Sequence, residues 1–151
     1  GVETNYGKKY AEYPVFNSLY TQIIHLPKRS TWATKELFEF LVYCKEQNID
    51  PFELEGSYAG AFGYGQFIPS SFNRLSIDYN KDGKKDPYSW EDVLGSVAYY
   101  LKENGYPDNN FNFSFRSPVW RSIRTYNRSD KYANAVIDFR NELSKKVFLS
   151  Y

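Results

Sequence analysis

The chain has 151 residues, 19 basic and 18 acidic, for a formal net charge of +1. That length suits one domain, or one with a small appendage, and the balance argues against the strongly basic face of a dedicated nucleic-acid binder. Cys44 is the one cysteine, which excludes an intrachain disulfide and a cysteine-based zinc site, and no apolar run is long enough to cross a membrane.

In chain order, Pro14 opens a helical segment with Val15, Leu19, Ile23 and Leu26 at near-helical spacing, and Pro27 ends it. Ser30 or Thr31 can cap a second helix whose Leu37, Phe40, Leu41 and Cys44 form an expected buried stripe. Asp50-Pro51 reads as cap and first position of a short helix reaching Leu54. The stretch GSYAGAFGYG at 56–65 is too glycine-rich for a helix interior, and Pro69 starts another short helix. An acidic loop from Asp78 to Ser89 follows. Ser89 with Asp92 resembles a capping box opening a helix with Val93, Leu94, Val97 and Leu101 inward. Residues 104–117 read as loop with a short alternation at Phe111, Phe113 and Phe115. A last helix opens at Ser129 with Ala133, Val136, Ile137 and Leu143 inward. The expectation is a mainly α fold with little or no β.

Aromatic residues make up 20% of the chain, 15 Tyr, 12 Phe and 3 Trp. Most suit a core, and such an excess of Tyr also suits a groove that stacks sugar faces while offering hydroxyls. The glycines of 56–65 lack the Gly-Lys-Ser/Thr ending of a phosphate loop. His25, the lone histidine, reads as structural, since a metal site needs more ligands, and Cys44 on a core face reads as inert.

Three stretches carry a resemblance: GVETNYG at 1–7, GSYAGAFGYGQFIPSSF at 56–72 and YNRSDKY at 126–132. Together they resemble the lytic murein transglycosylase B family, over nearly the whole chain from Gly1 to about Val136. The resemblance implies a lysozyme-like α domain that acts on peptidoglycan. It places the family's catalytic glutamate on Glu3, and groove residues on Ser57, Gln66, Tyr100, Tyr126, Asn127 and Tyr132. Lys28 and Arg29 match a basic pair that in the family faces the peptide part of the substrate.

Most glycosidases use two carboxylates. The resemblance instead implies a single glutamic acid that protonates the glycosidic oxygen and then takes the proton of the muramyl 6-hydroxyl. That hydroxyl closes on its own anomeric carbon to give a 1,6-anhydro sugar. Such a Glu needs a pKa raised by burial, for which Tyr58, Phe62, Tyr64 and Phe67 are expected walls. The implied partner is the peptidoglycan glycan strand, with no nucleic acid. The implied form is a monomer in the bacterial periplasm or cell envelope. The alternative readings are a non-catalytic peptidoglycan-binding module with the same groove, a hydrolytic lysozyme, and a calcium-responsive interaction protein built around residues 78–89. The chain opens two residues before Glu3, so it is expected to be a trimmed catalytic core, residues 1–151, lacking an upstream part of the family domain.

The acidic loop is a separate signal. Asp78, Asn80, Asp82 and Gly83 match positions 1, 3, 5 and 6 of an EF-hand-like loop. Lys84 would offer its carbonyl at position 7, Asp86 would act at 9, and Ser89 stands at 12 in place of the usual bidentate Glu. Ca2+ is the expected ion, bracing the loop and taking no part in the chemistry; the plainer reading is a solvated Asx-rich turn.

Overall fold

In the computed structural model of the chain, the described residues are 13–109 and 111–148, with side chains described through 146. Among the described residues six helices follow in order: α1 (Val15–His25), α2 (Pro27–Gln47), α3 (Pro69–Leu75), α4 (Trp90–Glu103), α5 (Pro118–Tyr126) and α6 (Asp130–Phe148). The β structure among the described residues is one two-residue antiparallel ladder. In it β1 (Tyr13–Pro14) pairs with β2 (Glu55–Gly56) in the register Tyr13 to Gly56, and two isolated bridges link Gly56 to Phe62 and Phe62 to Phe67. The expected mainly α class holds.

Helix starts follow the proline rule. Pro27, Pro69 and Pro118 each stand in the first turn, where a missing N–H leaves no hydrogen bond unmade. α2 ends where Asn48 adopts a left-handed conformation (φ 55°), which lets Ile49 N–H donate back to the Cys44 carbonyl at 2.9 Å. The segment 50–54 is a turn and not the expected short helix. The Asp50 side chain accepts Phe52 N–H at 2.9 Å, and the chain must bend so that the Leu54 carbonyl can receive Val15 N–H at 2.8 Å.

The chain divides into two compact units, with the boundary inside α4 between Val97 and Ala98. In the first, the buried core includes Val15 and Leu19 of α1, Ala33, Phe40 and Tyr43 of α2, Phe72 of α3, and Phe62, which is 1% exposed. The Phe62 ring lies 5.1–5.9 Å from those of Phe40, Tyr43 and Phe72. In the second, Val119, Trp120 and Ile123 of α5 meet Ala133 and Ile137 of α6, with Leu101, Tyr106, Phe113, Tyr132 and Val136 packed against them.

The buried faces differ from the expected stripes. On α2 the buried residues are Ala33, Glu36, Phe40, Tyr43 and Cys44, while Leu41 is exposed. On α4 they are Asp92, Val93, Gly95 and Ser96, and Leu94 is 64% exposed. The cause on α4 is a close approach. A Cβ at Gly95 would stand 2.8 Å from the Tyr79 ring, so the loop before α4 lies against this face and demands small or hydrogen-bonding residues there. Leu143 of α6 is also exposed, and 111–115 forms no strand. α5, which no expected element covered, starts where Ser117 caps it by accepting Trp120 N–H at 3.1 Å.

Candidate functional site

Glu3 lies outside the described residues. The middle motif, 56–72, is described in full, and α1 serves as its shelf. Gln22 of α1, fully buried, donates from Nε2 to the Tyr58 carbonyl at 2.7 Å and to the Ser18 carbonyl at 3.1 Å, while its Oε1 has no hydrogen-bond partner among the described residues. The turn that carries Ser57 closes on itself. Ser57 N–H donates to the Ala61 carbonyl at 2.8 Å, and Ala61 N–H donates to Ser57 Oγ at 3.1 Å.

Gln66 sits in a second tight turn. Its φ of 50° is left-handed, rare outside glycine, and both its backbone N–H and its side-chain Nε2 donate to the Gly63 carbonyl, at 3.1 and 3.0 Å. Gly63 itself has φ 71°, and a Cβ there would stand 2.5 Å from Pro87. Beside it, Tyr64 N–H donates to the Pro87 carbonyl at 2.9 Å. The Tyr64 ring stacks on Trp90 (4.6 Å, 20°) and meets Tyr88 edge-on (5.5 Å). Of the walls expected around the glutamate, Phe62 and Phe67 are buried, Tyr64 is half-buried and Tyr58 is exposed.

In the second unit, Tyr100, Tyr126 and Tyr132 come together. Tyr100 meets Tyr126 edge-on at 5.0 Å and donates its hydroxyl to the Thr125 carbonyl at 2.9 Å. Burial, and then the neighbouring Tyr132 and Tyr100, push the Tyr126 phenol far above its ordinary range, so it stays a neutral hydrogen-bonding group. Asn127 follows as the exposed C-cap of α5.

Lys28 and Arg29 are exposed in the first turn of α2. That end of a helix is positive, so the cations gain nothing from the dipole. Arg29 rests instead on the Trp32 ring, 4.3 Å from its centroid. His25 is the exposed last residue of α1.

The acidic loop is built on Asx turns. Asp78 accepts the N–H groups of Asp82 (3.1 Å) and Gly83 (2.9 Å), Asn80 Oδ1 accepts that of Asp82 (3.0 Å), and Asp82 Oδ1 accepts that of Lys84 (2.9 Å). Asp86 Oδ1 accepts Tyr88 N–H at 2.7 Å, while the Ser89 hydroxyl donates to Glu91 and caps α4. The side-chain donors at 78, 80 and 82 are all oxygens, the type a hard cation takes, but only two are carboxylates. Among the described residues, no three His, Cys, Asp or Glu side chains gather so as to hold a metal ion. In donor type the loop therefore fits calcium, and in donor number it fits a weak site.

Sequence reasoning missed the residue that organises this loop. Asp92, 2% exposed, accepts Tyr79 and Asn80 N–H at Oδ1 (2.9 and 3.3 Å) and Asp86 N–H at Oδ2 (2.9 Å). The signal in the sequence is an aspartate one position before Val93, in the first turn of α4, where its role in capping does not distinguish it from a solvated residue.

A family model described as "Transglycosylase SLT domain" matches residues 1–120. The membrane-bound lytic murein transglycosylase B of Escherichia coli K12 is 38% identical over 106 residues, covering 70% of this chain and 29% of that protein. Among solved structures, the E. coli lytic transglycosylase Slt35 in complex with calcium superposes with a TM-score of 0.80 at 27% identity, over 91% of this chain and 61% of that one. SltB3 from Pseudomonas aeruginosa in complex with NAG-NAM-pentapeptide gives 0.74 at 26% identity, over 90% and 52%. The chain thus spans under a third of the curated relative and about half to three-fifths of these solved relatives. With a family model matched across most of its length and the same helical fold in its solved relatives, the chain belongs to the transglycosylase SLT domain family.

Proposed function

We propose that the protein is a peptidoglycan lytic transglycosylase, cleaving the MurNAc–GlcNAc bond with formation of a 1,6-anhydro end. The observation that carries this reading is the family match over residues 1–120, which includes Glu3 and the whole 56–72 motif. Glu3 is the proposed acid and base. It protonates the leaving oxygen, then as carboxylate takes the proton of the muramyl 6-hydroxyl while that oxygen bonds to the anomeric carbon. Ser57, Gln66, Tyr100, Tyr126, Asn127 and Tyr132 are the proposed glycan-binding groups, all neutral, and Lys28 and Arg29 the proposed contacts to the peptide.

Two features support the roles of Ser57 and Gln66. Their turns are closed by the motif's own backbone, so both side chains are held before any ligand arrives, which lowers the ordering cost of binding. The left-handed Gln66 is the kind of strained position that clusters at functional sites. The motif 56–72 contains no carboxylate, and a reaction without an attacking water needs none besides Glu3. A cell-envelope location follows from the substrate.

In the intact protein, Glu3→Gln is expected to lower release of anhydro-muropeptides from purified cell walls by about 10²–10⁴-fold. Undiminished release would remove Glu3 from the mechanism. A product one water heavier by mass spectrometry would replace the transglycosylase with a hydrolase.

The calcium loop is proposed with Asp78, Asn80, Asp82, the Lys84 carbonyl and Ser89 as its donors. The Slt35 complex with calcium supports the ion, and the oxygen-only donor set supports its type. Calorimetry is expected to give a dissociation constant on the order of 10⁻⁴–10⁻³ M, as for weak extracellular modules, abolished by Asp78→Ala. Absence of any heat at millimolar calcium would leave the loop a plain Asx turn.

A further inference from the structure

Between α2 and α3, within the first unit, lies a cleft of about 410 Å³ lined by Lys35 and Glu39 of α2 and by Ser70, Asn73 and Arg74 of α3. Its floor is fixed by hydrogen bonds between the two helices. The buried Glu36 carboxylate accepts Ser70 N–H at 2.9 Å and the Ser70 hydroxyl at 2.8 Å. Asn73 Nδ2 donates to both the Glu39 carbonyl and Glu39 Oε2 at 2.9 Å.

These bonds decide what the cleft offers. Ser70 has given its proton inward and keeps oxygen lone pairs; Asn73 has used its amide nitrogen and keeps its carbonyl oxygen. At the rim, Lys35 and Arg74 are exposed cations, and among the described residues neither has a carboxylate within 4.0 Å. Two cations with no ion pair among the described residues, set against one carboxylate (Glu39) and two neutral acceptors, match a ligand that carries carboxylates and amide N–H groups together. A neutral sugar ring has no use for the cations.

We propose that this cleft binds the acidic stem peptide of the peptidoglycan substrate. The inference rests on the proposed murein activity and adds a subsite to it. Reach supports this occupant. Ser70 is four residues beyond Gln66, so the two are at most about 14 Å apart, while an extended pentapeptide covers about 17 Å. Lys35 also stands seven residues, about 10 Å, beyond Lys28 on the same face of α2, which continues the basic line from the other proposed peptide contacts. The pentapeptide in the SltB3 complex shows that a relative takes a substrate of this size.

The test compares the intact wild-type protein with the double variant Lys35→Ala/Arg74→Ala on two substrates: glycan strands bearing stem peptides, and the same strands stripped of peptide by an amidase. Both residues are exposed, and an unchanged urea midpoint will confirm that the variant folds. We expect KM for peptide-bearing strands to rise about three- to tenfold with kcat unchanged, and no change on stripped strands. Amidating the peptide carboxyls should raise the wild-type KM to the variant's level. Equal kinetics on peptide-bearing strands, or the same shift on both substrates, overturns the subsite. Should the wild type release no anhydro product from either substrate, the murein reading itself has failed. Calorimetry with the free pentapeptide then decides the cleft alone: binding lost in the double variant upholds it, and no binding to the wild type overturns it.

Discussion

Burying a carboxylate costs free energy unless its oxygens are engaged, and Glu36 and Asp92 both meet that condition with backbone donors from other segments. Neither residue could be identified as buried from the helical period, because the partners that make burial tolerable lie 34 and 6 to 13 positions away. Gln22 is the same case, with its partner carbonyl at Tyr58, 36 positions on. Cys44 followed expectation as an apolar core residue, 1% exposed. Burial, and then the Asp50 carboxylate, push its thiol from 9.0 to about 11. The folded state therefore holds this proton more tightly than the unfolded chain. Between about pH 9 and 11 unfolding releases it, so the contribution of Cys44 to stability falls as pH rises through that window. The expected result is that Cys44→Ala flattens the loss of stability between pH 9 and 11, measured by urea unfolding. An unchanged slope would show that the thiol is not the group responsible.

At the scale of elements, helix starts were more legible than buried faces. Proline in the first turn and serine before it are local signals, and they located α3, α4 and α6 well. α5 carries the same Ser-Pro signature at 117–118 but stood hidden after a loop rich in Asn and Phe. Its cap makes a direct test. Ser117 is buried and holds Trp120 N–H, so Ser117→Ala is expected to cost about 1 kcal/mol, read as a lower urea midpoint. Ser117→Thr, which keeps the hydroxyl, should recover most of it; equal loss in both variants would mean that packing, not the cap, is at stake. The Asp50 segment shows the opposite failure. Cap and proline were both present, yet the Asx turn and the pairing of Leu54 with Val15 outcompeted one turn of helix, whose formation is unfavourable at that length.

At the scale of the molecule, composition, spacing and motifs already carried the class and the family. Apolar periodicity is a property of each helix alone, and the seventeen residues of GSYAGAFGYGQFIPSSF specify one loop closely enough to mark the family. That loop's glycines were legible as turn formers, but not what they approach: Gly63 needs its missing Cβ because Pro87 passes 2.5 Å from where it would be. Only the tertiary structure decided that Asp92 gathers the acidic loop, that α1 supports the Ser57 turn through Gln22, and that Lys35 and Arg74 flank one cleft. Leu41 and Leu94 lie outside while Glu36 and Asp92 lie inside for the same reason. Which face of a helix is buried depends on what packs against it, and those partners come from segments that no local period contains.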